Sequence, residues 1–431
     1  MRVQRFILLF VFMHLGAQCI QSKTLLQKNS PLESVFKETV AQDLPNSLIN
    51  AFRPDVSFLY ADLKYRDGAL KICEFGEGKS ASRTNSTVSY RGSDYSIASP
   101  YWALFWEYCA RLGLPVWFVG SAFTNQNIED KRMFGWSEFV ALGGRHFETI
   151  RQLEQDVQFQ TRSKKTAIKT LRDFQGIVIY RYRDHRRINR LKEFQAFQQK
   201  YPNIFFLNQV SKSYASNKHN LAELIDDIGL QQYRPAWKTY KKEYTPKLAQ
   251  TIKQDLGCTQ VVIKPINSGR SNGIIMVHGD KLDRVLKDLF GKKTNQCKRN
   301  NVQLNHCPGH SQTYAYWAKD KNNVFIAESL EESKPLTYQG KLYDPTMRVV
   351  FILAHDQGKL SLTFLGGYWE TPCAALHDKT SLTKKHKSVA EDEGSVAGIK
   401  INEHDFSGVK KMMSDFLFPL YAAMLDRHGR V

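Results

Sequence analysis

Runs of hydrophobic residues alternate with polar segments along this chain, and their spacing predicts both strands and helices. Two β-branched runs, Val261–Ile263 and Ile274–Val277, flank a polar loop that contains Gly269 and Gly273. A strand, a glycine-containing loop and a second strand in this order are typical of a hairpin.

A second hairpin is predicted nearer the N-terminus, where two extended runs are joined by an Asp-Gly pair. The runs are Val56–Leu63 and Ala69–Phe75. Asp62 lies near the end of the first run and Glu74 near the end of the second, so the two carboxylates are expected side by side. Such a pair suits Mg²⁺ that carries a nucleotide, although two solvated charges at a sheet edge would give the same pattern.

Three segments show the spacing of apolar residues that predicts an amphipathic helix. They are Asn217–Gly229, Asp280–Gly291 and Ser407–Leu425. In the first of them, Asn220 is expected to cap the start of the helix and Gly229 to end it.

Three short hydrophobic runs, with helical segments among them, predict a small α/β domain with parallel strands. The runs are Pro115–Val119, Gln175–Tyr180 and Asn203–Leu207. A longer strand pair, Tyr343–Leu353 and Leu362–Tyr368, follows near the C-terminus.

The composition is globular, with 42% hydrophobic and 24% charged residues among 431. This length is enough for two or three domains of about 100–200 residues each. Lysine and arginine number 61 against 42 acidic residues, which gives a net charge of +19 and favours acidic partners. Because no zinc-finger, RNA-recognition or basic-zipper pattern is present, we expect an anionic small molecule or peptide as substrate, and not nucleic acid.

The N-terminus has the pattern of a secretory signal peptide, which predicts export. Arg2 and Arg5 precede an apolar run, Phe6–Ala17, and cleavage after Cys19 would remove it. The run is shorter than the ~20 residues of a membrane span, so contact with a membrane is expected only if the leader stays uncleaved.

Lys264 ends the first strand of the central hairpin, directly before the glycine-containing loop. A lysine held on a strand beside such a loop is a candidate phosphate-binding pair, because successive loop N–H groups can surround an anion. The alternative is a surface hairpin with a solvated lysine. A P-loop or a dinucleotide fingerprint is disfavoured, since both need a helix after the glycines.

These residues resemble the ATP-grasp family, and the resemblance extends over roughly residues 200–370. It implies that Lys218 and Lys264 bind nucleotide phosphates and that a flexible loop closes over them. It further implies that Glu328 and Leu330 face adenine and that Glu331, or its neighbour Glu332, binds the ribose hydroxyls. The matching loop residues are Ser268, Gly269, Arg270, Ser271 and Gly273.

In the same resemblance, Asp344 and Arg348 look like the acid–arginine pair of the following strand, with Arg348 stabilising the transferring phosphoryl group. The family usually ends with two strands that carry the Mg²⁺ ligands. Only Glu370 is available there, whereas Asp62 and Glu74 resemble that hairpin moved to the front, as in a circularly permuted ATP-grasp protein. The alternative is that Glu370 is the ligand and that no permutation exists.

The resemblance implies an ATP- and Mg²⁺-dependent carboxylate–amine ligase that acts through an acyl phosphate. Its fold would be two α+β subdomains around a nucleotide, preceded by a small parallel α/β domain. The alternatives are a kinase of a polyanionic substrate and an inactive binding protein. Export conflicts with ATP chemistry unless the protein reaches a compartment that contains ATP.

The predicted domain order follows from these elements and from the resemblance. It is a signal peptide at 1–22, an N-terminal region at 23–150 that carries the hairpin of 55–78, a small α/β domain at 151–215 and an ATP-grasp domain at 216–431.

Overall fold

The structure is a computed structural model, and it describes ten stretches of the chain. They are residues 39–44, 53–78, 98–120, 136–160, 170–180, 187–215, 217–268, 273–291, 312–386 and 398–429. The predicted signal peptide at 1–22 lies outside these stretches. No helix within them is both long and apolar enough to cross a bilayer.

The strands and helices alternate along the described chain. The strands are β1 (Thr39–Asp43), β2 (Asp55–Arg66), β3 (Ala69–Glu77), β4 (Val116–Val119), β5 (Arg145–Phe147), β6 (Gly176–Tyr180), β7 (Ile204–Phe206), β8 (Trp237–Lys241), β9 (Gln260–Pro265), β10 (Ile275–His278), β11 (Val324–Ser329), β12 (Leu336–Tyr338), β13 (Lys341–Tyr343), β14 (Thr346–Asp356), β15 (Lys359–Glu370) and β16 (Gly398–Lys400). The helices are α1 (Ala98–Arg111), α2 (Trp136–Ala141), α3 (Ile150–Gln160), α4 (Arg187–Lys200), α5 (Lys212–Ala215), α6 (Lys218–Asp227), α7 (Leu248–Leu256), α8 (Leu282–Phe290), α9 (Gln312–Lys319), α10 (Leu382–His386) and α11 (Glu403–Gly429). The prediction of a mixed α/β protein is confirmed.

The chain divides into two compact units. The smaller unit takes in the described residues of Met1–Val40, Ser99–Leu207 and Thr363–Leu365, and the larger unit those of Ala41–Ala98, Asn208–Leu362 and Gly366–Val431.

The smaller unit contains a parallel sheet with the strand order β5-β4-β6-β7. Strands β4, β6 and β7 are the three predicted runs, so the predicted parallel α/β unit is confirmed. Strands β4 and β5 precede residue 150 and strands β6 and β7 follow it, so one sheet spans the predicted domain boundary. Its core is formed by Trp117, Val119, Leu153, Val157, Val178, Phe197 and Ile204.

A six-stranded sheet, mostly in the larger unit, has the order β1-β15-β14-β2-β3, and β16 pairs with β15. The predicted N-terminal hairpin is confirmed as β2 and β3, with positive φ at both Asp67 (52°) and Gly68 (76°) in its turn. Helix α11 packs on one face of this sheet, where the ring of Phe416 meets that of Phe75 edge-on at 6.0 Å. Because side chains alternate along a strand, Asp62 and Glu74, which pair with each other, lie on the opposite face.

The larger unit also holds an antiparallel sheet with the order β10-β9-β11-β8, which confirms the predicted central hairpin as β9 and β10. Helices α7 and α8 cover one face of it. The buried core there includes Ile252, Val261, Ile263, Leu282, Leu286, Phe325 and Ala327. By the same alternation, Lys264 on β9 and Glu328 on β11 extend from the face that these helices leave open.

Helix α6 begins one turn earlier than predicted. Its cap is Asn217, whose side chain accepts hydrogen bonds from the N–H groups of His219 and Asn220. The prediction of Asn220 as the cap is therefore wrong, because Asn220 already lies in the first helical turn. Gly229 follows the helix with a φ of 74°, in the left-handed region predicted for a terminating glycine.

Candidate functional site

The two predicted acidic residues of the N-terminal hairpin lie opposite each other. Asp62 on β2 and Glu74 on β3 are partners in the antiparallel register, and the register shifts directly after Asp62. A bulge at this position re-aims side chains locally. The hairpin therefore presents both carboxylates at one place on the face of the sheet opposite α11.

Arg348 on β14 binds one of these carboxylates with two parallel hydrogen bonds. Arg348 is the register partner of Asp62, and its Nε and Nη2 donate to Oδ1 and Oδ2 of Asp62, each at 2.7 Å. Its Nη1 lies 3.1 Å from Oε1 of Glu370, and its guanidinium carbon lies 4.3 Å from the ring centre of Tyr60. The guanidinium is thus held by two carboxylates and an aromatic face.

The charge of Arg348 is strongly stabilised although the side chain is only 3% exposed. Burial alone would lower the pKa of Arg348, but the charges of Asp62 and Glu370 hold that pKa well above its usual value. This arginine therefore stays charged at any pH of biological interest.

Lys218, the first residue of α6, connects the other carboxylate to the glycine-containing loop. Its Nζ donates to Oε1 of Glu74 at 3.3 Å, to the carbonyl oxygen of Ser268, and to Oγ of Ser268 at 3.4 Å. Glu74 on β3 and Ser268 in the loop thus share the ammonium group of Lys218, which is 144 positions from Glu74 in the chain.

The loop that follows Ser268 is described only at its two ends. Gly273 has a φ of 75°, and its carbonyl oxygen accepts a hydrogen bond from Nε1 of Trp317 at 2.7 Å. Three predicted loop residues lie outside the described part of the chain: Gly269, Arg270 and Ser271.

Lys264 on β9 belongs to a buried cluster of three charged side chains. Its Nζ contacts Oε2 of Glu328 and donates to the carbonyl oxygen of Cys73 at 3.3 Å. The Nη2 of Arg234 donates to Oε1 of the same Glu328 at 3.1 Å, and the guanidinium carbon of Arg234 lies 4.5 Å from the ring centre of Trp237. Two cations therefore share one carboxylate.

The pKa values of the two cations of this cluster shift in opposite directions. Burial lowers the pKa of Arg234, and the neighbouring charge of Glu328 opposes that shift only in part. For Lys264 burial is again the largest single effect and acts downward, but the interactions with its neighbours, chiefly Glu328, together raise the pKa of Lys264. Glu328 is thus the main counter-ion of Lys264.

Asp344 is held in a separate buried cluster. Its Oδ2 accepts hydrogen bonds from Nζ of Lys64 and Nδ1 of His386, both at 2.7 Å, and its Oδ1 accepts one from the N–H of Ser333 at 2.6 Å. Burial alone would raise the pKa of Asp344, but Lys64 and His386 hold it below its usual value. The partners of Asp344 are thus Lys64 and His386, whereas those of Arg348 are Asp62 and Glu370.

The predicted hinge residues follow Glu328 at the end of β11. The N–H of Leu330 donates to the carbonyl oxygen of Gln260 at 3.1 Å, and the Oε1 of Glu331 accepts from Oγ of Ser329 at 2.8 Å. Leu330 and Glu331 are both partly exposed.

Asp62 and Glu74 have the chemistry to hold Mg²⁺ together with a nucleotide. No group of three or more His, Cys, Asp or Glu side chains among the described residues could hold a metal ion. However, Mg²⁺ is usually bound through one or two carboxylates plus phosphates and waters. Each carboxylate also has lone pairs beyond those that Arg348 and Lys218 use.

Gly76 cannot contribute a further ligand at this place. It is the register partner of Tyr60, and a Cβ atom built on Gly76 would overlap the Tyr60 ring. The absence of a side chain at 76 leaves room for the ring that contacts Arg348.

Sequence reasoning missed several residues of the site: Tyr60, Lys64, Arg234 and His386. Alternation along β2 places Tyr60 and Lys64 on the same face as Asp62, so that signal was present in the sequence. Arg234 and His386 carry no comparable signal, because their partners are 94 and 42 positions away.

Comparisons with known proteins find only distant structures. No protein-family model matches the chain, and no curated protein matches it either. D-alanyl-alanine synthetase A from Vibrio cholerae is 9% identical over 72% of this chain and 80% of its own, with a TM-score of 0.30. A putative gamma-glutamylcysteine synthetase from Methylobacillus flagellatus is 12% identical over 96% of this chain and 97% of its own, with a TM-score of 0.38. A D-cycloserine synthetase is 12% identical over 73% of this chain and 82% of its own, with a TM-score of 0.31.

Proposed function

We propose that this protein is an ATP- and Mg²⁺-dependent carboxylate–amine ligase with a circularly permuted ATP-grasp fold. The observation that carries the proposal is the meeting of the N-terminal hairpin with the two candidate phosphate lysines. Glu74 contacts Lys218, and the carbonyl oxygen of Cys73 accepts a hydrogen bond from Lys264. Carboxylates for Mg²⁺ and cations for phosphate thus lie within one cluster, as binding of Mg·ATP requires.

The antiparallel pairing of β2 with β14 supports the permuted arrangement. It sets Asp62 from the front of the chain against Arg348 from the back. In an unpermuted chain, the strand that carries the acidic residue would follow β14 directly. That position is held by β15, whose Glu370 also contacts Arg348, so Glu370 is kept as the alternative ligand.

The proposed roles follow from charge and position. Asp62 and Glu74 would hold the Mg²⁺, which would neutralise charge on the nucleotide phosphates. Lys218 and Lys264 bind the phosphate oxygens, and Arg348 stabilises charge on the phosphoryl group as it passes to the substrate carboxylate. An amine then displaces phosphate from the acyl phosphate, so catalysis rests mainly on positioning and electrostatics.

The first test is calorimetry of Mg·ATP binding to the wild type, Lys264→Ala and Glu74→Ala. We expect each substitution to weaken binding about tenfold or more, since each removes a charged hydrogen-bonding group. Glu74→Ala should lose chiefly the part of the affinity that depends on Mg²⁺. The matched controls are Lys200→Ala and Glu223→Ala at exposed ion pairs, which should bind like the wild type.

Different outcomes would contradict different parts of the proposal. If Glu74→Ala binds like the wild type and Glu370→Ala does not, the permuted arrangement is wrong. If the wild type binds no Mg·ATP, the chain is a binding protein without nucleotide chemistry. If ATP turnover leaves phosphate on the substrate and releases none, the protein is a kinase, a reading that the net charge of +19 would suit.

A further inference from the structure

Glu328 is a buried carboxylate that two cations share. Its Oε1 accepts from Nη2 of Arg234 at 3.1 Å, and its Oε2 contacts Nζ of Lys264. All three side chains are buried, with exposed fractions of 3% for Glu328, 5% for Lys264 and 7% for Arg234. In this arrangement Glu328 and the carbonyl oxygen of Cys73 engage two of the three donor hydrogens of Lys264.

Releasing Lys264 from this pair has an energetic cost. A buried carboxylate that loses one of its cations is destabilised unless another donor takes the freed oxygen. If Lys264 moved to a phosphate, Oε2 of Glu328 would need a new partner nearby.

Arg234 has such a donor. Its Nε is buried and has no hydrogen-bond acceptor among the described residues, although an unmade buried bond of this kind is unfavourable. The stacking of its guanidinium on Trp237 limits rotation of the guanidinium plane. The unused Nε donor therefore belongs to the same guanidinium that already binds Oε1 of Glu328 through Nη2.

Another arginine of this chain binds a carboxylate through both nitrogens. Arg348 uses its Nε and Nη2 to hold both oxygens of Asp62, each at 2.7 Å. Arg234 uses Nη2 in this way on Glu328, whereas its Nε has no acceptor among the described residues. A second hydrogen bond from Nε to Oε2 would give Glu328 the two-point pair that Asp62 already has.

We propose that Arg234 is a positioning residue that takes both oxygens of Glu328 when nucleotide binds, and so releases Lys264 to the phosphates. This inference rests on the proposed nucleotide binding. Arg234 does not touch the nucleotide. It makes a phosphate-binding lysine available without leaving a buried carboxylate short of a partner.

The test measures binding of Mg·ATP and of inorganic tripolyphosphate to Arg234→Gln, Arg234→Lys and the double variant Arg234→Gln/Glu328→Gln. Gln and Lys both lack the two-point fork, so both single variants should weaken binding about tenfold or more. The double variant has no buried carboxylate at position 328 that needs a cation, and its affinity should recover to within about threefold of the wild type. Tripolyphosphate should show the same pattern as ATP, since the effect passes through Lys264. Thermal melting of each variant reports whether it is folded.

Five results separate this inference from its rivals. If the wild type binds neither ATP nor tripolyphosphate, the proposed nucleotide binding is wrong, and this failure is distinct from a failure of the role of Arg234. If the wild type binds and Arg234→Gln binds equally well, or if the double variant binds no better than the single one, the inference is wrong. If Arg234→Gln weakens binding of ATP but not of tripolyphosphate, Arg234 acts through the base and not through Lys264, and the inference is wrong. An equal loss in Asp226→Asn, whose buried Oδ1 also has no partner among the described residues, would assign the idle Nε to Asp226 and overturn the proposal.

Discussion

Asp62 and Glu328 are both buried carboxylates paired with an arginine, but they are held in different ways. Asp62 is bound by two nitrogens of Arg348, whereas Glu328 divides its oxygens between Arg234 and Lys264. Removing one partner of such a pair typically costs about 3–5 kcal/mol because a buried charge is left uncompensated. These residues therefore matter for stability as well as for any chemistry.

His355 provides a prediction about pH at this scale. It is 1% exposed, and burial lowers its pKa. The folded protein therefore binds this proton less readily than the unfolded chain does. The stability that follows is present above the unfolded pKa of about 6.5 and is lost as pH falls through the folded value.

We accordingly expect the free energy of unfolding to fall between about pH 7 and pH 5, and to fall less in His355→Gln. Urea titrations across this range measure the effect. His404→Gln is the control, because His404 is 96% exposed and should leave the slope unchanged. An unchanged slope in His355→Gln would contradict the assignment.

Two hairpins form the site at the scale of secondary-structure elements. Hairpin β2–β3 supplies the carboxylates, and hairpin β9–β10 supplies Lys264 and the glycine-containing loop. Strand β14 joins the first hairpin to the rest of the six-stranded sheet and places Arg348 against Asp62. Each element was recognisable from local patterns, whereas the contacts between the hairpins were not.

Gly76 on β3 tests how tightly this sheet face is packed. A methyl group at 76 would overlap the ring of Tyr60, which is itself confined by Arg348. We expect Gly76→Ala to destabilise the protein by about 1–3 kcal/mol, the usual cost of overpacking. Urea unfolding of Gly76→Ala, Tyr60→Ala and the double variant gives the coupling. If the cost of Gly76→Ala is the same without the Tyr60 ring, the close approach is not its cause.

The whole molecule combines a parallel-sheet unit with a larger unit that contains every described residue of the candidate site. Its net charge of +19 is consistent with an anionic substrate. The charge does not identify that substrate, because a summed field acts on any anion.

The predicted N-terminal signal peptide can be tested on the whole protein. Two arginines followed by an apolar run of 12 residues, Phe6–Ala17, should direct export and be removed. Mass spectrometry of the mature protein should therefore find an N-terminus near residue 20 in place of Met1. Phe10→Arg interrupts the apolar run and should abolish processing. An intact leader on the wild-type protein would remove the prediction of export.

Prediction from sequence succeeded where the signal was local. The turn at Asp67-Gly68 and the apolar periodicity of α6 each depend on residues within a few positions. The cap of α6 was misplaced because two asparagines, Asn217 and Asn220, lie one turn apart and both have capping side chains. The partners of Glu328 and Asp344 were not predictable, since no local pattern relates them.

The sequence by itself determined the strands, the helices, the order of the two hairpins and the residue types available for chemistry. These properties follow from backbone preferences and from the periodic placement of apolar side chains. Only the tertiary structure decided which charges face each other: Asp62 with Arg348, Glu74 with Lys218, and Glu328 with both Lys264 and Arg234. The physical reason is that folding brings together residues as far apart as 286 positions, and burial then requires each charge to find a partner among the neighbours that the fold supplies.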